Sequence, residues 1–239
     1  GTIVVPNKYF PTDPGQAESF HCWNLQGHGS LNVVDAIAHS CNIFFYKLGG
    51  GYEGFDQTEP PIQGLGARII AEYAVQFGLG AASGIELTGE ISGSVPTPDW
   101  KRRTIGESWS TGDTYNAAFG QGYVTVTPLQ LISSIAALAN GGTLYRPALI
   151  EKIGPENGLP TYTFSPEVVG TVPISEEDLT LIQESMREVI RNPRGTAQRQ
   201  LSSMQTRIYG KTGTAQNPFG ASHAWFAGYT QERNENRPD

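Results

Sequence analysis

Cysteine is scarce in this 239-residue chain: only Cys22 and Cys41 are present. Two are too few for a disulfide framework, and a single bridge or two free, partly buried thiols are equally compatible with the sequence. Cations are short as well, with 16 Lys and Arg against 23 Asp and Glu, a net charge of −7 and a pI near 5.1. Generic nucleic-acid binding draws its affinity from clustered Lys and Arg, so a nucleic-acid partner is excluded. Charged residues make up 16% and hydrophobic residues 38% of the chain, leaving a large share of small and uncharged polar side chains. No apolar run approaches the roughly 18–20 residues that cross a bilayer, and no charged-then-apolar leader opens the sequence. What is abundant is Gly (29) and Pro (16), which points to many turns without reaching a low-complexity composition. The length suits one large domain or a domain with lobes.

Residues 1–30 show no sustained period and read as an irregular segment. From Leu31, Val34, Ile37, Ala38 and Cys41 recur at helical spacing, with Asn32 or Asp35 placed to serve the first turn. Ser40-Cys41-Asn42 interrupts, and a short apolar helix follows from Ile43 to the glycines at 49–51. Residues 66–77 form a helix expected to bury Ile69, Ile70, Tyr73, Ala74 and Phe77. Residues 85–123 read as a long loop with hairpins, and a loop of that length inside a domain is usually functional. Thr127-Pro128 is a strong helix start. Leu129, Ile132, Ile135, Ala136 and Ala139 carry its stripe to Asn140-Gly141-Gly142. Strands are expected within 144–153 and 161–173. A helix opens at Ser175 with Asp178 answering the cap, burying Leu179, Ile182, Met186 and Val189. Two strands, 207–214 and 224–229, are joined by the turn-rich Asn217-Pro218-Phe219-Gly220 as an antiparallel hairpin, and 231–239 is expected to fray.

Two short motifs stand out for their chemistry. Ser40-Cys41-Asn42 lies at a helix–helix break and Lys211-Thr212-Gly213 in a strand. A desolvated Lys can hold a Ser hydroxyl by a hydrogen bond and so manage its proton. Gly213 allows a ligand backbone to come close, and Thr212 and Thr214 flank it with hydroxyls suited to a carboxylate. Taken singly, Ser40 also reads as an interhelical cap and Lys211 as a solvated strand end.

Further blocks join these two. They are Cys22-Trp23 with Gly27-His28-Gly29, SGIELTGE at 83–90, PTPDWK at 96–101, Gly112 to Gly122, and Thr127-Pro128-Leu129-Gln130-Leu131. In their order and spacing the chain resembles the transpeptidase domain of class B penicillin-binding proteins, most closely the elongation-type D,D-transpeptidases, whose superfamily carries S-x-x-K, S-x-N and K-T-G motifs. Ala118 and Phe119 depart mildly from the family's residues there.

The resemblance implies an α/β (α+β) fold of the penicilloyl-serine-transferase or β-lactamase-like kind: an antiparallel sheet with flanking helices and an all-helical lobe, incomplete at both ends. Residues 1–239 would be part of one transpeptidase domain, with 31–142 the mainly helical lobe and 143–239 a helix plus the hairpin carrying KTG. It implies a serine acyl-enzyme reaction on the D-alanyl-D-alanine end of a peptidoglycan stem peptide, with β-lactams as ligands and no cofactor. Ser40 would relay the proton of the leaving group, Asn42 hold the donor backbone, and Lys211 supply positive charge. Thr212, Gly213 and Thr214 would bind the terminal carboxylate, the Thr214 N–H contributing to an oxyanion hole. Gly120-Gln121-Gly122 is expected to be a structural turn behind the site. The parent protein would sit on the extracytoplasmic side of the cytoplasmic membrane, anchored by an N-terminal helix, beside a glycosyltransferase and elongation-complex proteins.

One departure from the family is large: no Ser here is followed by Lys three positions later. The nucleophile is therefore expected outside these residues, and the isolated 239-residue piece is expected to be inactive. The alternative is a non-catalytic domain that binds peptidoglycan or β-lactams with a degenerate site. A metal module built from Cys22, His28, His39 and Cys41 is set aside, because the gaps match no common ligand spacing and His39 and Cys41 fall on different helix faces. The glycines of FGLGAASG at 77–84 follow a helix and not a strand, which excludes a dinucleotide fingerprint.

Overall fold

A computed structural model describes residues 1–5, 17–53, 60–217 and 220–231; the turn at Pro218-Phe219 and the stretch 232–239 lie outside the described residues. The elements run β1 (Thr2–Val5), β2 (Glu18–His21), α1 (Val33–Ala38), α2 (Asn42–Gly50), α3 (Gly66–Gln76), α4 (Pro98–Thr104), α5 (Thr111–Ala118) and α6 (Pro128–Ala139). They continue with β3 (Thr143–Tyr145), β4 (Lys152–Ile153), β5 (Tyr162–Thr163), β6 (Val168–Thr171), α7 (Glu176–Arg191), α8 (Gln198–Leu201), β7 (Ile208–Ala215) and β8 (His223–Thr230). Among the described residues the strands pair two by two, all antiparallel: β1–β2, β3–β6, β4–β5 and β7–β8.

Where the sequence carries both a cap and a period, the helices form as expected. Asn32 caps α1 by accepting from the Asp35 N–H, Thr127 and Gln130 make a reciprocal capping box on α6, and Ser175 caps α7. Three expectations are corrected. Residues 1–30 are not wholly irregular, since β1 and β2 form a ladder with Ile3 opposite Phe20. Residues 85–123 hold two helices: Thr97 caps α4 with Pro98 in its first turn, and Ser110 with Asp113 makes a capping box on α5. The apolar stripes on α3 and α6 are also misplaced. Ala67 and Ala71 are the buried residues of α3, while Ile69 and Tyr73 are exposed. On α6 the buried face includes Gln130 and Ser134, and Ile132 is exposed. The reason is polar satisfaction: the Gln130 amide donates to the Ala81 and Ser92 carbonyls and the Ser134 hydroxyl to Phe77, so this face organises the backbone of the adjoining loop.

Two packed groups place the site. Tyr115 of α5 is fully buried, stacked on Tyr46 of α2 and edge-on to Phe20 of β2, and its hydroxyl donates to the Gly51 carbonyl at 2.7 Å. The ring lies so close to α2 that a Cβ at Gly50 would meet it at 2.2 Å, which explains a glycine inside that helix. In the second group α7 acts as the spine. Val189 and Ile190 pack with Ile37 of α1 and Ile208 of β7, while Met186 packs with Tyr209. The Asn192 amide reaches Asp35, and the Thr196 N–H bonds the Ala38 carbonyl. The C-terminal end of α1 is thereby held beside β7.

Candidate active site

Ser40 sits where α1 ends. Its N–H bonds the Ile37 carbonyl and the Cys41 N–H bonds the Ala36 carbonyl, the paired hydrogen bonds of a Schellman stop. That motif places its next-to-last residue in left-handed backbone, normally glycine, yet Ser40 takes it with φ 54°. The conformation costs a side-chain-bearing residue roughly 1–2 kcal/mol. The strained position thus retains a hydroxyl, and the Trp23 indole N–H fastens the break by donating to the His39 and Ser40 carbonyls. Ser40→Gly is therefore expected to unfold at higher urea than Ser40→Ala, by about 1 kcal/mol. Both variants lack the hydroxyl, so equal stabilities would remove the strain argument.

Lys211 faces this hydroxyl across the cleft. Its ammonium donates to Ser40 Oγ at 2.5 Å and to the Thr212 carbonyl at 3.0 Å. It is not a solvated strand end: burial pulls its pKa from 10.5 down to about 8. Because Lys211 donates, Ser40 accepts, and the Ser40 O–H is left free to give its proton to a third group. An ammonium behind a hydroxyl is an arrangement that can deliver a proton to a leaving amine and recover one from an incoming amine.

The ladder register fixes which edge of β7 faces the cleft. Ile208 pairs with Thr230 and Ala215 with His223, and the Gln231 N–H bonds the Arg207 carbonyl. Odd-numbered residues of β7 therefore bond to β8, and the N–H and C=O groups of Gly210, Thr212 and Thr214 point away from it. The Lys211 ammonium takes the Thr212 carbonyl, and the Gln121 amide takes the Thr214 carbonyl at 2.6 Å. A Cβ at Gly213 would meet only Trp225 Cβ, at an ordinary 3.5 Å, so the protein itself does not demand glycine there. At Gly210 a Cβ would strike the Phe226 ring at 2.3 Å, and packing alone explains that residue. The Thr212 hydroxyl pairs with that of Thr196 at 2.6 Å, and Thr214 is exposed. The Asn42 amide donates to the His21 carbonyl at 3.3 Å. Of the six residues singled out from sequence, Ser40 and Lys211 are joined directly, and Thr212, Gly213 and Thr214 continue the Lys211 strand.

The sequence argument against a metal cluster does not hold in three dimensions. Cys22, His28 and Cys41 each offer a ligand atom, all within 4.8 Å of one another, and both thiols are free and buried. Spacing along the chain was a poor guide because Cys22 and His28 belong to a loop, not to one helix. His39 stacks on His28 with ring centroids 5.7 Å apart. Burial, helped by the charge of His39, lowers the His28 pKa, and burial raises that of Cys41. Two sulfurs and an imidazole are a donor set suited to a soft or borderline divalent cation.

Sequence reasoning missed two further side chains. Lys101 is 5% exposed and pairs with Asp113 at 2.8 Å, at the start of α5. The capping pattern Ser110-x-x-Asp113 was the available signal. Gln121, expected to lie behind the site, reaches the KTG strand itself; nothing local in the sequence announces that contact.

The chain matches the family model described as penicillin binding protein transpeptidase domain over residues 2–237. It is 32% identical over 203 residues to the peptidoglycan D,D-transpeptidase MrdA of Escherichia coli K12, covering 85% of this chain and 30% of that protein. Among solved structures it resembles the complex between penicillin-binding protein PBP2 and MreC from Helicobacter pylori, with a TM-score of 0.71, 26% identity, and coverage of 96% of this chain and 38% of that one. A second likeness is to a chain in a structure titled as structural coordination of polymerization and crosslinking by a peptidoglycan synthase complex, with a TM-score of 0.72, 31% identity, and coverage of 89% and 33%. The sequence thus spans about a third of the length of these proteins. A match over nearly the whole chain, on a fold that brings the SCN and KTG motifs together, makes this chain a member of the penicillin-binding protein transpeptidase domain family.

Proposed function

We propose that the chain is part of one D,D-transpeptidase domain that cross-links peptidoglycan stem peptides through a serine acyl-enzyme and is acylated by β-lactams. The observation that carries this reading is the hydrogen bond from partly buried Lys211 to Ser40 across 171 positions of sequence. In the first half-reaction a serine hydroxyl from an S-x-x-K segment outside these 239 residues adds to the carbonyl of the penultimate D-alanine. The new C–O bond forms as that serine's proton passes to the lysine of the S-x-x-K segment, the C–N bond breaks, and the departing D-alanine takes the Ser40 proton, which the Lys211 ammonium replaces. In the second, an acceptor amine adds to the ester and passes its proton through Ser40 back to Lys211, while the C–O bond breaks and the serine recovers its own proton from the S-x-x-K lysine. The Thr214 N–H, on the outward edge of β7, would stabilise the oxyanion. Asn42 would contact the donor backbone, and Thr212 and Thr214 the terminal carboxylate.

An apolar cavity of about 550 Å³ supports the missing part of this scheme. It is lined by Thr196, Ala197, Leu201, Ile208, Thr212 and Phe226, and it touches the KTG strand at Thr212. A helix bearing the nucleophile would seat there. A peptidoglycan substrate implies an extracytoplasmic setting, and MreC and the peptidoglycan synthase complex named for two relatives suggest similar company for the full-length protein.

Covalent labelling by a fluorescent penicillin tests the reading. The full-length protein is expected to label, and the isolated 239 residues are not, because the attacking hydroxyl is absent from them. No labelling of the full-length protein would favour the non-catalytic binding domain instead.

A further inference from the structure

We propose that Gln121 is a placeholder for the donor peptide: in the free enzyme its side-chain N–H occupies the Thr214 carbonyl that an extended donor must take. This rests on the transpeptidase reading above and concerns the specificity of the same site.

The register of β7 supplies the first step. The Thr214 N–H and C=O share the strand edge that faces away from β8, so they form adjacent donor and acceptor positions. A peptide that adds to this edge as a strand, with its reacting carbonyl at the Thr214 N–H, presents a neighbouring amide N–H to the Thr214 carbonyl. That carbonyl is already engaged, by Gln121 at 2.6 Å, from a residue 93 positions away.

The support of Gln121 is the second step. It lies just past the end of α5, with its N–H on the Asn116 carbonyl and the Gly120 N–H on that of Ala117. Gly120 and Gly122 on either side have φ 80° and 71°, and a Cβ at Gly122 would press on Asn116 Cβ at 3.1 Å. Helix α5 is in turn fixed by buried Tyr115 and by the Lys101–Asp113 pair. The backbone is anchored, while the half-buried side chain can rotate away. A donor with an N–H at the matching position replaces one hydrogen bond by another of the same kind. A ligand without that N–H must either leave Gln121 in place or strand the carbonyl.

The comparison of two β-lactams in the full-length protein tests this. Penicillin G carries an N–H in its 6-acylamino group, and penicillanic acid has no such group. The quantity read is the ratio of their acylation rate constants, followed by mass spectrometry of the adduct. In Gln121→Ala the Thr214 carbonyl is unoccupied, and the ratio of penicillin G to penicillanic acid is expected to rise about three- to ten-fold, the worth of one partly exposed hydrogen bond. Gln121→Glu keeps the size but loses the donor, and the ratio should rise in the same direction. A purely structural role for Gln121 would slow both reagents together and leave the ratio where it was. A ratio within two-fold of wild type in both variants, or a fall, overturns the inference. Acylation of the wild type by neither reagent would overturn the transpeptidase reading, and the placeholder with it.

Discussion

Lys211→Met in the full-length protein is expected to slow penicillin acylation by about 10²–10⁴-fold while raising stability at pH 7. The loss follows from removing the only group that the described structure shows donating to Ser40 Oγ. The gain follows from burial, which holds the Lys211 pKa at about 8 against an ordinary 10.5. Below pH 8 the lysine is charged in both folded and unfolded chains, so the folded state bears the whole penalty of burying an ammonium. Between about 8 and 10.5 the unfolded chain binds a proton that the folded one has released, and stability rises with pH. The Met variant has no such term, so it should exceed the wild type by about 2 kcal/mol at pH 7. By pH 10 that margin should nearly vanish. Urea unfolding at the two pH values reads it, and a margin independent of pH would mean that Lys211 is not desolvated as described. In the mechanism proposed above the ammonium is the form that serves Ser40, so the wild-type acylation rate is expected to be level below pH 8 and to fall as pH rises through it.

Asp113→Ala is expected to be among the most damaging substitutions to the fold, at about 3–5 kcal/mol, because it leaves the Lys101 charge buried with only Glu107 at 3.3 Å. It also strips the α5 cap, since the carboxylate accepts from the Ser110 N–H at 2.7 Å and hydroxyl at 2.9 Å. Burial alone would raise the Asp113 pKa, but the hydrogen bonds from Lys101 and Ser110 outweigh it and hold the carboxyl below its ordinary value. Its stabilisation is therefore present at neutral pH and is lost as pH falls through that lowered value. Wild type and variant should differ widely in urea unfolding at pH 7 and converge as pH falls below the ordinary carboxyl range. A difference that persists in acid would assign the effect to packing and not to the ion pair.

How much of this was legible in the sequence depends on the range of the interaction. The caps at Thr127 and Ser175 and the hairpin carrying KTG involve residues near one another in sequence and form as expected, and of the two candidates for the first turn of α1 it is Asn32 that caps. The helix opened by Thr97-Pro98 has the same signature as the one at Thr127-Pro128. The prolines at 96 and 98 and the glycines around them give the segment a loop-like composition that masks this start. The apolar stripe on α6 failed for a different reason: periodicity measures hydrophobicity, whereas this face buries an amide and a hydroxyl that serve a loop's carbonyls. The Ser40–Lys211 pairing was expected through family resemblance and not from spacing. Nothing in either motif names its partner. Gln121 was expected behind the site because a turn between two glycines says nothing about where its side chain reaches.

The spine formed by α7 carries a further implication. Ser40 is at the end of α1, Lys211 is on β7, and the helix that sets their separation donates no atom to either. The distance between Ser40 and Lys211 is thus set through a short chain of packed side chains: Ile37, then Val189 and Ile190, then Ile208. Segments outside that chain, such as the β4–β5 ladder at 152–163, can lengthen, shorten or drift without changing the gap. Such a molecule can redesign its periphery, and with it the surfaces it shows to other proteins, while its chemistry stays in register.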